Sequence, residues 1–110
     1  MATEYEIAAQ WANRIEEALR DAGMWQGTPL PDEAYDFKQA FAMDTMAFSQ
    51  WLQFIFLGRI RSIIAEGGTF PTRSEVAAQA VREFDTVPQA SDVLSALSGF
   101  DDWINRGRPV

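Results

Sequence analysis

Histidine and cysteine are both absent from this sequence of 110 residues. Their absence excludes disulfides, thiolate chemistry, a Ser-His-Asp triad and zinc sites built from histidine or sulfur. The chemistry that remains is acid–base catalysis by two carboxyl groups that converge in a cleft. The acidic pairs Glu16–Glu17 and Asp101–Asp102 diverge by about 100° around a helix, which predicts solvated faces. We therefore predict no catalytic, cofactor-binding or metal-binding residues and favour a non-enzymatic protein, with a carboxylate enzyme as the open alternative.

Positive charge is also scarce. Nine lysine and arginine residues stand against sixteen acidic ones, which gives a formal net charge of −7. Such a charge opposes binding to a polyphosphate backbone or to an anionic membrane surface. We therefore do not expect nucleic acid as a partner.

Long apolar runs are missing as well. The run from Trp51 to Leu57 is interrupted by Gln53 and is far shorter than the ~18 to 20 residues that span a bilayer. Glu4 and Glu6 stand where a secretion signal would carry positive charge. We expect a cytoplasmic protein without a membrane partner.

What the sequence does contain is a series of helical patterns. Thr3 and Glu6 have the spacing of a capping box, and Gly23 stands where a helix would stop. These signals predict a first helix from about Glu4 to Ala22. Its apolar residues recur every four positions, which gives one buried stripe: Ile7, Trp11, Ile15 and Leu19.

The second predicted helix is the most apolar segment of the chain. Asp44 or Thr45 is expected to cap its N-terminus, and Gly67 with Gly68 ends it after about Ala65. Its apolar residues cover more than one face, since three of them fall outside the main stripe: Phe54, Phe56 and Leu57. An interior glycine, Gly58, costs roughly 1 kcal/mol relative to alanine. We expect a bend or a close helix contact there.

Two shorter helices follow. Thr72 and Glu75 repeat the capping-box spacing and predict a third helix to about Phe84. A fourth helix starts near Thr86 and Pro88 and ends at Gly107 with Pro109. No strand pattern or internal repeat is visible, so the sequence predicts an all-α, single-domain four-helix bundle over residues 1–110.

The connection between the first two predicted helices is long. It runs from Gly23 to Thr45, and its prolines and glycines break any extended helix. Apolar residues within it are expected to pin it over the bundle, with one helical turn near Asp32 to Asp36.

A family resemblance rests on the second helix and the residues before it. The residues that carry it are Phe41, Met43-Asp44-Thr45-Met46, Trp51-Leu52-Gln53 and Arg59-Ile60. Together they resemble the signature of the YqcC-like family, which are small all-helical bacterial proteins classed as a domain of unknown function. The resemblance covers nearly the whole chain and departs from the family at Gly58, where a proline is expected. It implies a four-helix fold, brings no assigned site residues, and implies an association with RNA modification, because members can be encoded beside a tRNA pseudouridine synthase.

Five residues form the candidate interaction or ligand surface: Asp44, Gln53, Phe54, Phe56 and Arg59. Asp44 is either a helix cap or a ligand-binding carboxylate. Gln53 and Arg59 either face solvent through a gap in the bundle or engage acidic groups of another helix or subunit. Phe54 and Phe56 are predicted to remain as an exposed aromatic patch, whereas Trp51 is predicted to lie in the core.

Besides the carboxylate enzyme, three functions stay open at this point. The first is a non-enzymatic protein-interaction domain that binds a second copy of itself, as a homodimer, or another protein. The second is a binder of a small apolar ligand or peptide, with a pocket between the second helix and the Met24 to Phe41 loop. The third, implied by the resemblance, is an accessory partner of a tRNA-modifying enzyme. No cofactor is expected for any of them.

Overall fold

The computed structural model describes residues 3–106, and four helices make up its frame. Helix α1 is Glu4–Asp21, α2 covers residues 48–66, α3 is Val76–Glu83 and α4 is Ser91–Asn105. A short 3-10 helix, Pro88–Ala90, leads into α4. Residues 3–106 contain no strand, so the predicted all-α four-helix fold is confirmed. The predicted stop at Gly107 and Pro109 lies outside the described residues.

Helix α1 forms as its sequence signals indicate. The Thr3 hydroxyl accepts the backbone N–H of Glu6 at 3.1 Å, which caps the first turn. At the other end Gly23 adopts a left-handed φ of 73°, the conformation that ends a helix and that glycine accepts without steric cost. The buried face of α1 packs against α4 and against the second half of α2. Its fully enclosed residues include Ala8, Ile15 and Leu19.

Helix α2 changes its winding along its length. It begins as an α-helix at Phe48–Gln50, becomes a π-helix over Trp51–Phe56, and returns to an α-helix over Leu57–Glu66. The N–H of Leu57 binds the carbonyl of Leu52, five residues back, which is the hydrogen bond of a π-helix. This winding turns apolar side chains toward several neighbours at once. No helix among residues 3–106 has both the length and the apolar character to cross a bilayer.

The start of α3 corrects a sequence prediction. The expected capping box of Thr72 and Glu75 is absent: the helix begins at Val76, and Glu75 makes no side-chain cap. Asp101 of α4 caps it instead, because its Oδ2 accepts the N–H of Ala77 at 2.8 Å. Its Oδ1 accepts the hydroxyl of Ser74. Asp101 is therefore buried, with 7% of its surface exposed, and does not belong to a solvated face.

The long connection between α1 and α2 contains two short 3-10 helices. The first, Asp32–Tyr35, confirms the predicted turn, and the second is Ala40–Ala42. Helix α2 starts at Phe48, later than predicted, and the Gln50 side chain accepts the N–H of Ala47 at 2.8 Å in place of an aspartate cap. The connection is thus a folded layer over α2.

An aromatic cluster joins α2 to the long connection and to α4. The Trp51 ring lies 5.7 Å from Phe48, 5.6 Å from Phe56 and 4.9 Å from Phe41, measured between ring centroids. Phe56 in turn meets the edge of Phe100 of α4 at 5.3 Å. Trp51 is 7% exposed, so its predicted place in the core is confirmed.

Two glycines give a matched stability prediction. A Cβ added to Gly58 would meet no atom within 4 Å, so the predicted close helix contact there is wrong. A Cβ added to Gly99 would lie 2.4 Å from the Trp11 ring.

We expect Gly58→Ala to raise the free energy of unfolding by about 0.5 to 1 kcal/mol, through helix propensity alone. Gly99→Ala should lower it by about 1 to 3 kcal/mol, because overpacking forces Trp11 away from α4.

Urea denaturation of both variants beside the parent protein measures the difference. Equal midpoints for Gly58→Ala and Gly99→Ala would contradict the α1–α4 contact at Trp11.

Candidate functional site

A cavity of about 430 Å³ opens between α2 and residues 71–76, the segment that leads into α3. We call it the aromatic pocket. Four rings and three aliphatic side chains form its walls, and three charged side chains stand among its lining residues. These ten residues are Phe41, Trp51, Phe56, Phe100, Ile60, Ile63, Val76, Arg59, Arg73 and Glu75. Phe41 comes from the long connection, as the pocket hypothesis expected, but the opposite wall comes from the segment before α3.

Phe41 reaches the pocket from a strained backbone. Its φ and ψ are 56° and 22°, and the next residue, Ala42, has a φ of 53°. A left-handed conformation costs a bulky residue of the order of 1 to 3 kcal/mol and persists where surrounding contacts enforce it. Two ring contacts hold Phe41 in this conformation. Its ring meets Trp51 edge to face and lies 5.8 Å from Phe48. The strain therefore lies at the pocket.

The charged residues of the pocket differ in their partners. Arg73 pairs with Glu75 at 3.0 Å, and both side chains are mostly exposed. The Arg59 side chain is exposed on α2 and makes no ion pair or hydrogen bond within residues 3–106. The neighbouring Arg61, by contrast, binds Glu16 of α1 at 2.8 Å. The Arg59 guanidinium therefore lies beside an apolar cavity without an ion-pair partner among residues 3–106.

A second concavity lies on the other side of Arg59. This open groove of about 670 Å³ runs along α2, and we call it the α2 groove. Arg59 and Ile63 line both concavities, so they form the ridge between them. The remaining lining residues are Tyr35, Phe37, Phe54, Ile55, Gly58, Ser62 and Glu66.

Asp44 orders the connection instead of capping α2. Its two carboxylate oxygens accept the backbone N–H groups of Lys38 at 3.0 Å and Gln39 at 3.4 Å. The bond from Lys38 is the main cause that lowers the pKa of Asp44 below its ordinary value. The predicted cap is wrong because α2 begins four residues later, at Phe48.

Gln53 fastens the same connection farther along. Its Oε1 accepts the N–H of Gln26 and its Nε2 donates to the carbonyl of Gln26, both at 2.8 Å. Gln50 adds a bond to the Gln26 side chain at 3.0 Å. Gln53 therefore binds the backbone of a loop in its own chain. The prediction that it would face solvent or engage an acidic group is wrong.

Phe54 and Phe56 point to different surroundings. Phe54 is half-buried and lines the α2 groove. Phe56 is 8% exposed and belongs to the core and the aromatic pocket, so its predicted place in an exposed patch is wrong. The π-helix places it between Trp51 and Phe100.

Glu16 has a structural role. Glu16 accepts Arg20 at 2.9 Å, as predicted, and also Arg61 of α2. Burial raises the pKa of Glu16, but the hydrogen bonds from Arg20 and Arg61 outweigh it and lower the pKa overall. Within residues 3–106, no three acidic side chains come close enough to hold a metal ion.

The sequence pointed to Phe54 and Arg59 but missed the segment 71–76. Pro71 and Arg73 carry no pattern that assigns them to a cavity, and Val76 and Phe100 read as ordinary apolar positions of short helices. Their convergence depends on how α3 and α4 fold back toward α2.

The chain is similar to one family model and to two known proteins. The family model DUF446, described as tRNA pseudouridine synthase C, matches residues 8–103. An uncharacterized protein of Haemophilus influenzae is 26% identical over 91 residues, which cover 80% of this chain and 86% of that protein. A tRNA pseudouridine synthase C of Pectobacterium carotovorum subsp. carotovorum is 40% identical over 50 residues, which cover 46% of this chain and 13% of the synthase.

No solved structure matches the sequence. The family match spans most of the chain and confirms the predicted kinship with small domains of unknown function. The chain belongs to the DUF446 family.

Proposed function

We propose that this chain is a YqcC-like, non-enzymatic interaction domain that acts as an accessory partner of tRNA pseudouridine synthase C. The observation that carries the proposal is the 50-residue segment of the Pectobacterium synthase that is 40% identical to this chain. That segment is 13% of the synthase, so most of the enzyme lies outside the similarity. A separate chain of the same family would meet the enzyme by non-covalent contact.

Charge supports contact with the enzyme over contact with the RNA. An enzyme that acts on tRNA needs cationic surface to hold the phosphate backbone. The net charge of −7 on this chain repels the RNA and is complementary to such a surface.

The α2 groove is the surface that suits a protein partner. Tyr35 is 45% exposed, and Phe37 and Phe54 stand beside it. Aromatic side chains with a nearby arginine are typical of interface hot spots. Gly58 lies in the groove with open space where a Cβ would be, which allows a partner's backbone to approach α2 closely.

The test is binding of the purified chain to the tRNA pseudouridine synthase C of the same organism, measured by calorimetry. We expect micromolar or tighter affinity for the parent protein. Phe54→Glu should weaken it about 30-fold, since loss of a hot-spot aromatic costs about 2 kcal/mol. Val81→Glu is the matched control, because Val81 is 54% exposed on α3 and lies outside the groove.

Circular dichroism confirms that both variants are folded. Light scattering of the chain alone tests the self-association alternative. A homodimer that Phe54→Glu dissociates, with no binding to the synthase, would show that the groove serves a second copy of the chain. Absence of binding by the folded parent protein, with unchanged pseudouridine formation when it is added, would contradict the proposed partner.

A further inference from the structure

The aromatic pocket has the size and chemistry of a ligand site. Its volume is about 430 Å³, and it opens to solvent between α2 and residues 71–76. Sites for small molecules span about 300 to 1,000 Å³ and combine apolar walls with few polar groups. The walls here are the rings of Trp51, Phe56 and Phe100 with aliphatic side chains between them.

One charged side chain, Arg59, determines which ligand charge the pocket favours. Arg59 lines the pocket and makes no ion pair within residues 3–106, while Arg73 is already paired with Glu75. A guanidinium presents two parallel N–H donors that match a carboxylate. A single free cation suits a single negative charge, and the net charge of −7 on the whole chain disfavours a dianion such as a phosphate monoester.

We infer that the aromatic pocket binds an amphipathic monoanion, with its apolar body among the rings and its carboxylate on Arg59. The strained backbone at Phe41 and Ala42 supports this assignment, because strained residues cluster at ligand clamps. The inference does not depend on the synthase as a partner, because it rests on the pocket and not on the α2 groove.

Decanoate is the probe, used below its micelle concentration, with decanamide as the neutral partner of equal length. Calorimetry and Trp fluorescence report binding, since Trp51 lines the pocket. We expect decanoate to bind at least tenfold more tightly than decanamide. Arg59→Gln should remove that difference and leave decanamide binding unchanged.

Three further variants locate the site. Ile63→Trp should weaken both probes, because the larger ring fills the pocket from its ridge. Arg82→Gln, an exposed arginine of α3 outside the pocket, should weaken neither. Phe54→Ser, which brings no charge near Arg59, should also leave decanoate binding intact and so separates this site from the α2 groove.

A pair of acetylated Leu-Leu-Phe peptides, one with a free terminal carboxylate and one amidated, identifies the source of the anion. Tighter binding of the free-acid peptide than of decanoate assigns the site to a protein C-terminus, and the reverse order assigns it to a free carboxylic acid. Equal affinity for decanoate and decanamide, unchanged decanoate binding in Arg59→Gln, or no binding of any probe at millimolar concentration would overturn the inference.

Discussion

Trp51→Ala is expected to lower the free energy of unfolding by about 3 to 5 kcal/mol, the usual cost of truncating a buried aromatic side chain. The ring is 7% exposed and contacts three other rings, those of Phe41, Phe48 and Phe56. Its removal would also release Phe41, whose left-handed backbone is held by these contacts. For a domain of this size each kcal/mol shifts the melting temperature by roughly 4 to 8 °C, so the variant should melt far below the parent.

Trp25→Ala is the matched control. Trp25 is half-buried in the connection, where the Arg20 guanidinium lies 4.6 Å from its ring centroid. An interaction of this kind at a partly exposed site contributes about 0.5 to 1 kcal/mol beyond packing, so the loss should be clearly smaller. Thermal melts followed by circular dichroism compare the two variants. A Trp51→Ala protein that melts with the parent would refute its place in the core.

Asp101→Ala is expected to cost about 3 kcal/mol through the N-terminus of α3. The Asp101 carboxylate accepts the N–H of Ala77 and the hydroxyl of Ser74 from a buried position. A hydrogen bond to a charged group contributes about 1.5 to 3 kcal/mol, and its removal leaves a buried donor without a partner. Asn105 also binds Ser74, through the Ser74 N–H at 2.8 Å and its carbonyl at 2.9 Å, so the segment should loosen without unfolding completely.

Asp102→Ala is the control for this prediction, since its side chain is exposed one position farther along α4. It should change stability by less than about 0.5 kcal/mol. Hydrogen exchange should show faster exchange in α3 for Asp101→Ala alone. Equal denaturation midpoints for the two aspartate variants would refute the capping role of Asp101.

Local signals predicted α1 well. Thr3 and Gly23 act on backbone groups within a few residues of themselves, and the structure places both ends of α1 where these residues indicate. The sequence also identified Trp51 as a core residue, because its position on the apolar stripe of α2 is a property of helical periodicity. These features depend on contacts between residues that are close in the sequence, so they can be predicted from the sequence alone.

The candidate site depended on longer-range contacts. Phe54 and Arg59 were found from their unusual positions on an apolar helix, but the wall of the aromatic pocket at residues 71–76 carries no pattern of its own. Gln53 was expected either to face solvent or to engage acidic groups of another helix or subunit, but its partner is Gln26, which lies 27 residues away in the chain. A side chain that satisfies a distant backbone looks the same in sequence as one that faces solvent.

The sequence by itself determined the helical fold, the acidic charge and the absence of histidine and cysteine chemistry, because composition and periodicity need no knowledge of neighbours. The tertiary structure alone decided that Asp101 caps α3, that Phe56 is core, and that Arg59 lies between a pocket and a groove without an ion-pair partner in residues 3–106. The physical reason is that burial and hydrogen-bond partners are set by which helices meet. That depends on the π-helical winding of α2 and on the approach of α4 to α3, and neither of these leaves a mark in the local pattern of residues.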